Sequence, residues 1–293
     1  MTFLKKLFSP IIMVLDFITK YFKTIVFLTI LFILFSNSSD DEYPNNAFAN
    51  LQKIDLVGQI VDPSKVLENI EKAKKDNNIK GVLLFVDSPG GSVAPSVEIA
   101  YAIKELNNIK PVVVYASGTI ASGSYYASIW AEKIFANPGS IVGSIGVIMQ
   151  GFEASKLLDN IGVSTQTIKA GKYKESGTFA RKWTKDEEEE LQKVINSTYS
   201  MFVSDVSNAR NLNPKNHNIF ADAKIFTAFM AKDVGLVDEV TNITYAKKYL
   251  QDISKVEKAI WKKEDKFDKF MDKVLSETVS KILINFSSTL KAY

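Results

Sequence analysis

The sequence predicts an α/β domain with largely parallel strand pairing, placed behind an N-terminal transmembrane helix. Three observations predict it. From residue 51 onward, short apolar runs alternate with segments of helical spacing, the rhythm of strand-helix-strand units. The apolar runs at residues 81–86 (GVLLFV) and 111–115 (PVVVY) are brief and unbroken, as buried strands are. A more hydrophobic run lies near the N-terminus, with lysines before it and acidic residues after it.

Residues 24–35 (TIVFLTILFILF) are apolar apart from two threonines. With Tyr21, Phe22 and a few neighbours the run approaches the roughly 17 residues that span a bilayer. Lys5, Lys6, Lys20 and Lys23 precede it, and Asp40, Asp41 and Glu42 follow it. The positive-inside rule then keeps the N-terminus in the cytoplasm and exports the remainder. A cleaved signal peptide is the competing reading. The late start of the run, and no clear small-x-small site in Ser36-Asn-Ser-Ser-Asp40, favour an uncleaved anchor.

The expected organisation is an anchor over residues 1–39, a polar acidic linker over 40–50, one α/β domain over 51–262 and a C-terminal amphipathic helix over 263–293. Residues 53–61 (KIDLVGQIV) read as a strand, and 63–76 as a helix with Val66, Ile70 and Ala73 on one face. A helix over 96–106 separates the two apolar strands. Thr184 followed by Glu187 forms a capping box that opens a long helix to about residue 209. In the tail, Phe270, Met271, Val274, Leu275, Ile282, Leu283 and Phe286 share a helical face. That face suits docking on protein or contact with a membrane surface.

Composition excludes several chemistries. The formal charge of +3 is small and evenly spread, which argues against a nucleic-acid partner. With no cysteine there is neither a disulfide nor a thiolate nucleophile or ligand. The single histidine, His217, cannot support a multi-histidine metal site. It lies in a polar stretch and reads as a solvated loop residue.

Three segments retain chemical potential. Ser122 follows a buried strand and stands where a helix should begin, close to unpaired backbone N–H groups and a positive local potential. Alone, such a serine reads first as an N-cap. Gly90 and Gly91 follow the other apolar strand, and such a pair makes a tight turn or aims an amide into a cleft. Residues 169–176 (KAGKYKES) carry three lysines. A lysine serves as a general base only where burial lowers its pKa from about 10.4 toward neutrality; most loop lysines are instead solvated.

Together these segments resemble peptidase family S49, the signal peptide peptidase or protease IV type, over roughly residues 54–240. The resemblance is carried by Ser-Pro-Gly-Gly at 88–91, Ala-Ser-Gly-x-Tyr-Tyr at 121–126, Gly-Ser-Ile-Gly-Val at 143–147 and Gly-x-Tyr-Lys at 171–174. Phe226-Thr227, Ala231 and Gly235-Leu-Val-Asp238 complete it. The resemblance implies a fold of the ClpP/crotonase type, built of repeated β-β-α units. It implies Ser122 as nucleophile, Lys174 rather than Lys172 as general base, Ser144 as the hydroxyl that orients the lysine, and amides near Gly91 and Gly123 as an oxyanion hole. It further implies peptide substrates, notably cleaved signal peptides, a homo-oligomeric ring, and a catalytic domain on the outer side of the bacterial cytoplasmic membrane. No metal or other cofactor is expected. Two positions depart from the family pattern: Ser124 replaces a second glycine, and Asp87 replaces the usual asparagine. Rival readings are a catalytically inactive membrane scaffold of the same fold and a crotonase-like acyl-CoA enzyme.

Overall fold

The computed structural model of the chain describes residues 16–29 and 48–263. Residues 16–29 form an exposed helix in a unit separate from the remainder. Among the described residues, no helix is long and apolar enough to cross a membrane. Residues 1–15 and 30–39 of the expected anchor segment, most of the expected linker and residues 264–293 of the expected C-terminal helix lie outside the described residues.

The second unit begins with β1 (Leu51–Val57), α1 (Ser64–Lys75), β2 (Gly81–Ser88), α2 (Val93–Asn107) and β3 (Val112–Ala121). Next come α3 (Gly123–Ser128), β4 (Lys133–Ala136) and β5 (Ile141–Gly143). The chain continues through α4 (Ser155–Asn160), the 26-residue α5 (Lys185–Arg210) and α6 (His217–Phe220). It closes with β6 (Ile225–Thr227), α7 (Ala228–Asp233), β7 (Glu239–Val240) and α8 (Ile243–Ile253). Strands β1-β2-β3-β4-β7 pair in that order, all in parallel.

The unbroken apolar runs have a direct cause. Successive side chains of a strand face opposite sides, and both sides of this sheet are covered. Val82, Leu84, Val86, Val112 and Val114 enter the larger core, with Ile70, Ile99, Ile103 and Leu106 from α1 and α2. Leu83, Val113 and Tyr115 point the other way, into a second core with Ala246 and Leu250 of α8.

Strand β3 then forks. Residues Val113 to Ala116 pair with β4, while Thr119 to Ala121 pair with β5, which turns antiparallel to β6. This extends β3 beyond Tyr115, where the sequence suggests a loop, because β5 supplies ladder partners for the second half. Other boundaries move for local reasons. β1 stops at Val57, where Gly58 takes φ 77, and only Ile60 returns to the sheet as a bridge to Gly91. α2 begins at Val93, since Pro95 is compatible with the first turn of a helix. The capping box at Thr184 forms in full.

His217 requires a correction. It is the first residue of α6, not a loop residue without orienting groups. Its Nδ1 lies 3.2 Å from the Tyr199 hydroxyl and 3.4 Å from Asp222, and the Tyr199 hydroxyl donates to Asp222 at 2.6 Å. These contacts hold Asp222 and Ala223, both at positive φ, in the turn before β6. That turn supports β5, since the Ala223 amide donates to Ile145 and the Ser144 amide to Lys224.

Candidate active site

Ser122 occupies the sharp turn between β3 and α3. Its backbone sits at φ 54 and ψ −122, a conformation that side-chain-bearing residues rarely adopt. Two backbone bonds hold it there: its amide donates to Gly143 of β5 at 2.8 Å, and its carbonyl accepts from Tyr126 at 3.0 Å. Although Ser122 stands at the N-cap, its side chain makes no capping hydrogen bond. The capping reading therefore fails, and the hydroxyl lines a cleft.

The turn after β2 reaches this serine. Gly90 has φ 92, and a Cβ there would lie 2.5 Å from the Gly123 amide nitrogen and 2.9 Å from the Ser122 Cβ. A Cβ on Gly91 would fall 2.0 Å from the Ile60 carbonyl oxygen. Neither position accepts a side chain, which accounts for the glycine pair. Ile60 donates to the Gly90 carbonyl and accepts from the Ser92 amide, so the turn is pinned on both sides of Gly91. The Gly91 and Gly123 amides have no acceptor among the described residues, and both residues line the cleft beside Ser122. This is the donor pair an oxyanion requires.

The two departures from the family pattern have structural roles. The β2–β3 register shifts between Val86 and Ser88, and the Asp87 carboxylate accepts from the Thr119 amide at 2.8 Å within the irregularity. Ser124 neither narrows the cleft nor points into it. It is fully buried, and its hydroxyl lies among Ala121 and Ser88 backbone groups.

The cleft is open to solvent. Val93 and Val97 of α2 form one wall and Met201 and Phe202 of α5 another, with Val147 after β5. Tyr126 stacks edge-on against Phe202 at 4.9 Å, and its hydroxyl donates to Asp205. Burial and that carboxylate push the phenol far above its ordinary range, so it stays neutral. These wall residues escaped the sequence reading. The usable signal was the helical stripe Thr198, Met201, Phe202 and Asp205 on a helix otherwise rich in charge.

Of the expected site residues, Ser122, Gly91 and Gly123 come together. Ser144 follows β5 at φ 50 and is half-buried. Lys174 is exposed on a turn over residues 172–177 and is not among the residues lining the cleft. Its neighbours are firmly held: Lys169 pairs with Glu175 at 2.9 Å, Lys172 with Asp186 at 2.5 Å, and Arg181 bridges Glu175 and Glu187. Among the described residues Lys174 has no ion-pair partner, unlike the other two lysines of the segment.

This network gives the loop a distinctive pH response. Hydrogen bonds from Lys169 and Arg181 hold Glu175 at about 2, and Arg181 with the Thr184 amide holds Glu187 at about 2. Both carboxyls sit below their ordinary value, so their stabilisation is complete above about pH 4.5 and is lost as pH falls through about 2. Trp183 donates to Thr178 within the loop and reports on it. In a chain with Trp130 and Trp261 replaced by phenylalanine, Trp183 fluorescence should change over that acid window. In Arg181→Ala the change should already be present at neutral pH.

The family model for peptidase family S49 matches residues 104–257, more than half of the chain. The chain belongs to peptidase family S49. A candidate protease of Methanocaldococcus jannaschii is 46% identical over 187 residues, covering 64% of this chain and 60% of that protein. A candidate protease of Synechocystis is 37% identical, covering 65% of this chain and 69% of that one. A candidate signal peptide peptidase of the SppA type from Enterococcus faecium is 38% identical, covering 59% and 51%. The chain thus spans half to about two thirds of the length of these relatives. The S49 match takes in Ser122, Ser144 and Lys174 and leaves Gly91 outside it.

Proposed function

We propose that this S49 chain is a membrane-anchored serine endopeptidase that works through Ser122 and Lys174. The observation that carries the reading is the convergence at one cleft of a serine with an uncommitted hydroxyl and the amides of Gly91 and Gly123. Lys174 takes the Ser122 proton as Oγ attacks a peptide carbonyl, and the Gly91 and Gly123 amides donate to the oxyanion. The tetrahedral intermediate collapses to an acyl-enzyme while the Lys174 ammonium protonates the leaving amine. Water, deprotonated by the same lysine, then releases the acyl group. Ser144 holds the lysine amine in line.

A lysine base needs burial, yet Lys174 is exposed on its own chain. Its loop is also tied to the start of α5 through Asp186 and Glu187, whereas the cleft wall is formed by Thr198 to Phe202. At 1.5 Å per residue, roughly 18 Å of helix separates Asp186 from Thr198. The dyad therefore forms between subunits of a homo-oligomeric ring, where a neighbour buries the lysine. The apolar cleft suits extended hydrophobic peptides, and the substrates are remnant signal peptides at the outer face of the cytoplasmic membrane.

A fluorophosphonate probe tests this directly. Ser122 Oγ should displace fluoride and form an Oγ–P bond, detected as a mass adduct on the peptide containing residue 122. The adduct should vanish in Lys174→Ala. Assembled protein that stays unlabelled would favour the inactive-scaffold reading instead.

A further inference from the structure

We infer that Ser124 is a positioning residue whose buried hydroxyl clamps the two halves of the oxyanion hole together. The inference rests on the function proposed above and deepens it. One half of the hole is the Gly91 amide, carried by the turn after β2. The other is the Gly123 amide, beside Ser122 in the turn after β3.

Ser124 is 0% exposed. Its Oγ accepts from the Ala121 amide at 2.9 Å and donates to the Ser88 carbonyl at 2.7 Å. The Ala121 carbonyl lies at 2.9 Å as a second, longer-range acceptor. A hydroxyl has one proton and two lone pairs, so accepting from Ala121 and donating to Ser88 uses it in both directions. Ala121 immediately precedes the nucleophile, and Ser88 lies three residues before Gly91. Ser88 passes the constraint on, since its own hydroxyl accepts from the Gly90 amide at 3.2 Å.

The position of this bond in the sheet explains why it matters. The β2–β3 ladder is irregular between Val86 and Ser88, and its last register pair is Ser88 with Ile120. Beyond that pair the strands have no further ladder bond, yet the two catalytic amides lie beyond it. Gly90 touches Ser122 and Gly123 only by close packing, which resists approach but not separation. The Ser124 hydroxyl supplies the directional link. Substitution by alanine would remove the hydroxyl that joins the Ala121 amide to the Ser88 carbonyl, leave their ladder contact without its support and let the amides drift apart.

Ser128 serves as the comparator. It is equally buried on the same helix, but its hydroxyl donates only to the Ser124 carbonyl at 2.7 Å, within α3. The experiment compares wild type, Ser124→Ala, Ser124→Gly and Ser128→Ala as assembled full-length protein, well below the lowest melting temperature. In both Ser124 variants, kcat should fall about 10- to 100-fold with KM nearly unchanged. Affinity for a peptide boronic acid, which mimics the tetrahedral intermediate, should fall by the same factor. Affinity for the product peptide should not change. Ser128→Ala should lose thermal stability with kcat intact. Wild-type kcat and boronate affinity in Ser124→Ala, or an equal loss in Ser128→Ala, would overturn the clamp.

Hydrogen exchange separates this inference from the function beneath it. The Gly90 and Ser92 amides should exchange faster in Ser124→Ala than in Ser128→Ala, whether or not the protein hydrolyses peptides. Equal exchange rejects the clamp even in an active enzyme. Inactive wild type with faster exchange in Ser124→Ala upholds the clamp and rejects only the catalytic reading.

Discussion

Replacing Ser122 with alanine should lower peptide hydrolysis by about 10⁴-fold to 10⁶-fold, the range seen when an acyl-enzyme nucleophile is removed. No other group in the cleft supplies an equivalent oxygen. Tyr126 is committed to Asp205 and held neutral, Ser96 donates to the Ser92 carbonyl, and Thr198 donates to the Val194 carbonyl. The same position makes a second, opposite prediction. At φ 54 and ψ −122 a side chain is strained, and glycine adopts that conformation without penalty. Ser122→Gly should therefore be inactive yet more stable than wild type by about 1 kcal/mol, relief of strain outweighing the added flexibility of the unfolded chain. Chemical denaturation of both variants checks this. A Ser122→Gly chain no more stable than Ser122→Ala would show that the turn holds no strain.

Lys174→Ala should be as inactive as Ser122→Ala, and the two variants together reveal where the dyad forms. If serine and lysine meet across a subunit boundary, co-assembling the two inactive chains creates some boundaries that carry both native residues. Random mixing in equal amounts gives that combination at about a quarter of boundaries, so activity should return to about 25% of wild type, a sum over independent sites. Mixing after assembly is complete should restore nothing until subunits exchange. If the mixture stays inactive while mass analysis shows mixed rings, the pair belongs to one chain, and the Lys174 turn must move toward the cleft.

Much of the fold was legible because its causes are local. The apolar runs of β2 and β3 reveal strands covered on both faces, and Thr184 with Glu187 marks the start of α5. The fork in β3 was not legible. Ser117-Gly-Thr119 has a loop composition, and the strand resumes at Thr119 to Ala121 through pairing with β5, distant in sequence, and with Ser88 of β2. At the site, the glycine pair and Ser122 were readable as a motif because steric demands leave few alternatives at those positions. The cleft wall from α5 was not, since a helix shows its apolar stripe without revealing what it faces. Ser124 was readable only as a departure from a pattern; its buried hydrogen bonds depend on how two strand ends meet in space. His217 was misread for a related reason, as Tyr199 and Asp222 reach it only through the packing of α5 against the turn before β6.

The exposed turn that carries Lys174 has one more consequence. If the dyad forms between subunits as proposed, a lone copy holds a nucleophile without its base and cannot hydrolyse a peptide. Hydrolytic power would appear only as the local number of copies rises and neighbours meet, making surface density the switch. Dilution in detergent should then silence the enzyme without unfolding it, and crowding into small vesicles should restore it.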